Sequence, residues 1–247
     1  MQITNRLKHF LKKHLVDPFY LSQLQQSHPE AASIIKHVKN NNLTYLDNEA
    51  LFALYQAVQE VETKKINGIL IEAGCALGGS AIVMTAAKAS TRSLVIYDTF
   101  GTIPPPSEND ETDSKDRYDK IIKGEAKGLG GDAYYGYLPD LLKKVKDSFS
   151  SAKYPPEENA VVFIEGLYES TLYPQESVAL AHIDCDWYDS VMVCLERITP
   201  HLQHGGILVI DDYYHWSGCK KAVDEFFKDR FNEFDFIHGS RLQIHKK

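Results

Sequence analysis

The chain has 247 residues, 43% of them hydrophobic and 25% charged, a globular composition that excludes wholesale disorder and fits one large α/β domain with additions. Its formal net charge of -7 excludes a general attraction to nucleic acid and is compatible with a cation site. No apolar run is long enough to span a bilayer, the N-terminus lacks the apolar centre and cleavage site of a signal peptide, and the four cysteines form no Cys-x-x-Cys pair; they read as buried reduced thiols of a cytoplasmic protein.

Residues 1–62 are predicted to be helical. Ile3, Leu7, Phe10 and Leu11 share one face, with Arg6, Lys8, Lys12 and Lys13 mostly elsewhere. That face suits packing on the protein's own domain, on a second subunit, or on a membrane surface. In "LTYLDNEALFALYQAVQEV" either Asp47 or Asn48 can cap a helix whose Leu51, Leu54, Tyr55 and Val58 recur at helical spacing.

From Asn67 the rhythm changes. "GILIEAG", "SLVIYD", "AVVFIEG", "VALAHIDCD" and "GGILVIDD" are short apolar strands, with helices at "SAIVMTAAKA", 190–199 and 218–227. Strands alternating with helices predict an α/β fold with a doubly wound, mostly parallel sheet. Such sheets bind ligands beyond the carboxyl ends of their strands, where Glu72, Asp98, Glu165, Asp184 and Asp211 fall. Residues 100–159 interrupt the alternation. They contain the proline-led, acidic "TIPPPSENDETDSKDRYDK" and the glycine- and tyrosine-rich "KGLGGDAYYGYLPD". A long insertion leaving the sheet on its ligand side predicts a lid or binding element; a solvated surface loop is the plainer alternative. The expected organisation is a helical cover over 1–62 and a ligand-binding domain over 63–247, with 100–159 as its lid.

Two features carry chemistry. "IEAGCALGGS" lacks the Gly-x-Gly-x-x-Gly spacing of a dinucleotide site and the Gly-Lys-Ser/Thr end of a phosphate loop. Asp98 ends the next strand, where an acid accepts hydrogen bonds from ribose hydroxyls. Glu72 beside the turn can receive an ammonium group. Together these suit S-adenosylmethionine, a nucleoside with an amino acid tail and no phosphate. The second feature is the acidic pairing of "HIDCDW" with "VIDDYY". Carboxylates are costly to bury unless compensated, so Asp184, Asp186, Asp211 and Asp212 suggest a cation, a ligand or both.

"IEAGCALGGSAIVM" resembles motif I of class I S-adenosylmethionine-dependent methyltransferases, close in form to the catechol O-methyltransferase type. With "LTYLDN", "YDTFGTIPPP", "EGLYESTLYP", "HIDCDWYDS" and "GGILVIDDYYHWSGCKKAVDEF", residues 43–230 resemble the macrocin O-methyltransferase (TylF/MycF) family. The resemblance implies a Rossmann-like methyltransferase fold and transfer of a methyl group to a hydroxyl of a sugar or other secondary metabolite. It implies a divalent cation, Mg²⁺, held by Asp184, Asp211 and Asp212, a hard-oxygen set suited to that ion. Asp98 is expected at the ribose, Glu72, Gly74 and Ser80 at the amino acid end, Thr44 in support, and Leu167 and Tyr168 beside the adenine. Catechol-type enzymes place a lysine base where this chain has Trp187, so that base is excluded. Asp184 is the first candidate, with Asp186 and His215 as the others. Tyr213 and Trp216 either line the acceptor pocket or simply pack. A homodimer completing the cover is also expected.

Three rival functions fit the sequence less well. Asp-Cys-Asp matches the metal motif of glycosyltransferases, but that motif leaves the second acidic pair unexplained. A non-catalytic binding module should have lost the glycine turn or an aspartate. Phosphodiester chemistry wants a basic clamp that the acidic edge lacks.

Overall fold

The computed structural model describes residues 17–247, so the amphipathic pattern at Ile3, Leu7, Phe10 and Leu11 lies outside the described residues. Three helices lead: α1 (Asp17–Ser27), α2 (Pro29–Asn40) and α3 (Asn48–Thr63). Asp47 is the cap of α3, its Oδ1 accepting from the Ala50 amide at 2.9 Å, which decides between the two candidates.

The alternation that follows runs β1 (Ile69–Ala73), α4 (Gly79–Ala87), β2 (Leu94–Asp98), then α5 (Thr112–Ile122) and α6 (Leu141–Ser151) within the insertion. It continues through β3 (Val161–Glu165), a single turn α7 (Tyr168–Thr171), β4 (Val178–Ile183), α8 (Tyr188–Ile198), β5 (Leu202–Ile210) and α9 (Ser217–Phe227). A hairpin of β6 (Phe234–His238) and β7 (Leu242–Lys246), not read from the sequence, closes the sheet. The seven strands lie in the order β3-β2-β1-β4-β5-β7-β6, parallel except for β7.

β1 and β4 are buried along their whole length, as central parallel strands covered on both faces must be. Their side chains alternate between two apolar layers. Leu70 and Leu180 face α1–α4 and α6, while Ile71, Ala181 and Ile183 face α8 and α9. Strand order reverses between β1 and β4, and the crevice at such a reversal is where doubly wound sheets bind ligands. The carboxyl ends there are level: the Asp184 amide donates to Ala73 O and the Asp211 amide to Ile183 O.

The insertion is anchored rather than loose. Asp110 Oδ1 accepts from the Tyr188 amide at 2.9 Å, at the start of α8. Asp113 accepts from the Ser217 amide at 3.0 Å and the Ser217 hydroxyl at 2.6 Å, at the start of α9. Two acids of the apparently solvated segment thus cap the two helices that follow the acidic strands, where carboxylates also favour the helix dipoles. Gly218 permits this contact, since a Cβ there would collide with Asp110 Oδ1. Trp187 adds a third tie, its Nε1 donating to Pro104 O at 2.9 Å.

Candidate active site

Beyond the β1/β4 switch lies a cavity of about 440 Å³, within the range of small-molecule sites. Thr44, Gly74, Ser80, Asp98, Leu167, Tyr168, Asp184, Asp211 and Asp212 all line it. Glu72, expected with them at the amino acid end, does not. It is the penultimate residue of β1 and lies wholly buried behind the wall. There it accepts from the Ser80 hydroxyl and faces His182 Nδ1 at 3.1 Å. With its proton committed to Glu72, Ser80 turns lone pairs to the cavity. Ser80 is therefore a wall group with acceptor capacity toward the cavity, and Glu72 fixes the direction of its hydroxyl.

Asp98 has a wider task than the sequence implied. Its Oδ2 accepts from the Cys75 amide at 2.7 Å and the Ala76 amide at 3.3 Å, and its Oδ1 from the Phe100 amide at 2.7 Å. Burial raises its pKa, and these three bonds oppose the rise. A carboxylate offers about four lone-pair directions, so these amides leave roughly one, on Oδ1. Asp98 holds the glycine turn in shape and presents its remaining acceptor to the cavity.

Gly74 is required for a reason the sequence did not show. It has φ +88°, and a Cβ would overlap the carbonyl oxygen of Asp184. The turn after β1 and the end of β4 touch at this point, so the cofactor-type motif and the first acidic residue form one wall. Non-glycine residues in the left-handed region follow three strands here: Ala76 (φ 46°), Phe100 (φ 47°) and Asp186 (φ 58°). Such strain is tolerated where the surroundings hold it, commonly at functional sites.

The acidic wall is unevenly compensated. Asp184 and Asp212 have pKa values well above the ordinary carboxylate range, from burial first and then from neighbouring acids, Asp211 for Asp184 and Asp186 for Asp212. The Asp184 carboxylate accepts no hydrogen bond from a described residue, and Asp212 accepts one, from the Asp186 amide at 3.2 Å. Asp186, also in the wall, is raised to about 6 by burial and by Asp211. Asp211 behaves oppositely: burial pushes it up, but His182 and Arg241 outweigh that and hold its pKa low. Arg241 Nε lies 2.5 Å from Asp211 Oδ1, and His182 Nε2 stands 3.6 Å from the same oxygen, an ion-pair distance without a hydrogen bond. His182 itself is raised well above its usual value: burial lowers it, but Glu72 leads the groups that overcome burial. Register explains the line-up, since Glu72 pairs with His182, and Ile210 pairs antiparallel with Leu242, bringing Arg241 beside Asp211.

This arrangement tests the expected cation set. A ring nitrogen of His182 and one carboxylate oxygen each from Asp184 and Asp211 lie within 4.8 Å of one another, a group at the ends of β4 and β5 that does not include Asp212. Asp184 and Asp212 are short of counter-charge, whereas Asp211 already has Arg241 and His182 beside it.

The outer wall comes from the insertion and the second acidic motif. Arg117 lies over the Tyr134 ring at 5.3 Å, and both line the cavity with Tyr135. His215 and Trp216 also line it, Trp216 packing edge-on to Trp187 with ring centroids 5.4 Å apart. Tyr213 turns away, its hydroxyl donating to Asp224 Oδ1 at 2.8 Å.

The model of the family described as macrocin-O-methyltransferase (TylF) matches residues 36–237. The chain belongs to the macrocin O-methyltransferase family. This macrocin-type chain is 26% identical over 198 residues to the demethyldecarbamoylnovobiocin O-methyltransferase of Streptomyces niveus, covering 75% of this chain and 68% of that protein. It is 28% identical over 190 residues to the 8-demethyl-8-(2,3-dimethoxy-alpha-L-rhamnosyl)-tetracenomycin-C 4'-O-methyltransferase of Streptomyces olivaceus, covering 74% of this chain and 65% of that one. The solved structure of the O-methyltransferase NovP superposes with a TM-score of 0.68 at 23% identity, covering 83% and 81% of the two chains, and shows the fold to be shared. As a member of the macrocin O-methyltransferase family the chain is an S-adenosylmethionine-dependent O-methyltransferase with a Rossmann-like fold. The glycosyltransferase reading of Asp-Cys-Asp is set aside.

Proposed function

We propose that this enzyme methylates a hydroxyl of a small secondary metabolite, a sugar ring foremost, with Mg²⁺ beside the acceptor. The names of the two curated relatives, one of them specifying a rhamnosyl position, support the acceptor class. The observation that carries the reading is Asp184: a carboxylate in the cavity wall, without a hydrogen-bond donor among the described residues, on backbone pressed against the glycine turn.

Asp98 offers its spare acceptor to the ribose, Ser80 accepts from the ammonium, Gly74 and Thr44 shape the wall, and Leu167 and Tyr168 border the adenine. Asp184, Asp211 and Asp212 would hold the cation. When bound, S-adenosylmethionine supplies a methyl group already activated on sulfur, and the cation lowers the pKa of the acceptor hydroxyl. The chain's residues must align acceptor and donor and keep water out. Asp184 takes the hydroxyl proton in this reading. A second reading gives that step to Asp186, whose left-handed backbone (φ 58°) sets its side chain in the same cavity wall while Asp184 serves as a ligand. The helices before β1 and the insertion cover the site, supported by Thr44, Tyr45, Arg117, Tyr134 and Tyr135 in its walls. A second subunit completing that cover through the N-terminal segment remains part of the proposal.

Transfer from labelled S-adenosylmethionine to a panel of rhamnosylated acceptors tests this reading. Activity should vanish with a chelator, return with Mg²⁺ or Mn²⁺, and fall in Asp184→Asn more steeply than cofactor affinity does. Full transfer by metal-free enzyme would reject the cation and leave the cofactor assignment intact. Comparing Asp186→Asn with Asp184→Asn in the metal-loaded enzyme separates the two bases.

A further inference from the structure

We propose that Arg241 is a built-in competitor of the divalent cation: its guanidinium neutralises Asp211 in the metal-free enzyme and holds cation affinity down. This rests on the cation reading above. Arg241 is carried on the short turn between β6 and β7, and antiparallel pairing of β7 with β5 fixes it beside Asp211. Both residues are buried, at 8% and 5% exposure, and both line the cavity. Nε meets Asp211 Oδ1 at 2.5 Å, while Nη1 donates to Ser240 O at 2.8 Å, so the guanidinium is positioned from both sides.

The contrast with the neighbouring acids gives this pairing its meaning. Among the described residues Asp184 has no donor and Asp212 has one backbone amide, whereas Asp211 has a guanidinium and lies in an alternating line of charge, Glu72, His182, Asp211, Arg241. Of the three carboxylates expected to hold the ion, one therefore comes already neutralised. A cation arriving there must share Asp211 with a fixed positive charge. Charge repulsion over several ångströms in a partly buried site is worth more than a tenfold factor in affinity. Arg241 thus acts through Asp211, as a positioning residue: it keeps the metal-free site folded and lets the ion exchange.

Binding of Mn²⁺ alone, followed by electron paramagnetic resonance, tests the inference on the full chain. Arg241→Gln should bind Mn²⁺ at least about tenfold more tightly than the parent, and Arg241→Lys, which keeps the charge, should stay near it. Arg241→Met serves if the glutamine variant does not fold. In the unaltered protein, the Arg241 Nε–H resonance should shift on adding Mg²⁺. If the parent binds Mn²⁺ in a manner lost in Asp184→Asn, but neutral variants bind no more tightly, the competition is wrong and the cation reading stands. If neither parent nor neutral variants bind Mn²⁺, both fail. A stationary Arg241 resonance under saturating Mg²⁺ would also overturn the competition.

Discussion

Replacing Asp98 by Asn tests whether one carboxylate both ties the glycine turn and receives the cofactor. Asp98 accepts three backbone amides, from Cys75, Ala76 and Phe100. An asparagine has one acceptor oxygen. If that oxygen faces Cys75 and Ala76, its NH₂ points at the Phe100 amide, donor against donor; the flipped amide strands two amides instead. At least one buried N–H therefore loses its partner, a cost of about 1–3 kcal/mol. Burial already disfavours the charge on Asp98, so neutralising it offsets part of that cost, leaving roughly 1–2 kcal/mol. For a chain of this size that is a fall in Tm of about 2–8 °C. The cofactor loses more, since the spare lone pair on Oδ1 belongs to the oxygen that is sacrificed. A hydrogen bond to a charged acceptor is worth about 1.5–3 kcal/mol, so S-adenosylhomocysteine should bind about 10–100-fold more weakly. Titration calorimetry and a thermal melt on the same samples read both quantities. Affinity within about twofold of the parent, whatever the melt shows, would refute the placement of ribose at Asp98.

Gly74→Ala should destabilise the fold by about 2–4 kcal/mol, because the new methyl group meets the Asp184 carbonyl at a backbone angle that disfavours alanine; a denaturant melt with unchanged midpoint would contradict that contact. Asp186 supplies a pH test. Its folded pKa is raised to about 6, so its contribution to stability is fully present below the unfolded value and is lost as pH rises through about 6. Metal-free Asp186→Asn, whose asparagine tolerates the left-handed backbone, should gain on the parent by at most about 3 kcal/mol between pH 4 and pH 7; a constant difference in denaturation free energy would rule the shift out. Asp113 has the opposite sign. Burial raises its pKa, but bonds from Ser217 outweigh this and leave it lowered, so its stabilisation is present above the unfolded pKa and lost as pH falls through the folded one. Asp113→Ala should cost about 1 kcal/mol at neutral pH, seen as a lower Tm that converges on the parent in acid; equal melts at pH 7 would deny the cap across to α9.

Much of this site was legible because strand ends and glycine turns announce themselves locally. The apolar runs ending in Asp98, Asp184 and Asp211 give both the parallel sheet and its functional edge, and the turn between Glu72 and Ser80 gives the cofactor end. What the sequence withheld depends on non-local register. Glu72 is an acid at a strand end by its letters, but β1 pairing turns it inward to Ser80 and His182. Arg241 lies beyond the resembling segment and matters only because β7 runs antiparallel to β5, a pairing that no motif encodes. An arginine directly before a final strand, pairing with a strand that ends in aspartate, was the available signal. The acids at Asp110 and Asp113 read as surface charge because the helices they cap lie about 78 and 104 residues further on.

The most direct test of the account is anomalous diffraction from crystals grown with S-adenosylhomocysteine and Mn²⁺. The account predicts the ribose at Asp98, the ammonium at Ser80 and a Mn²⁺ peak bonded to Asp184, Asp211 and Asp212, with Arg241 adjoining it. A nucleoside bound away from Asp98, or Mn²⁺ absent from Asp184 in crystals soaked to saturation, would contradict it.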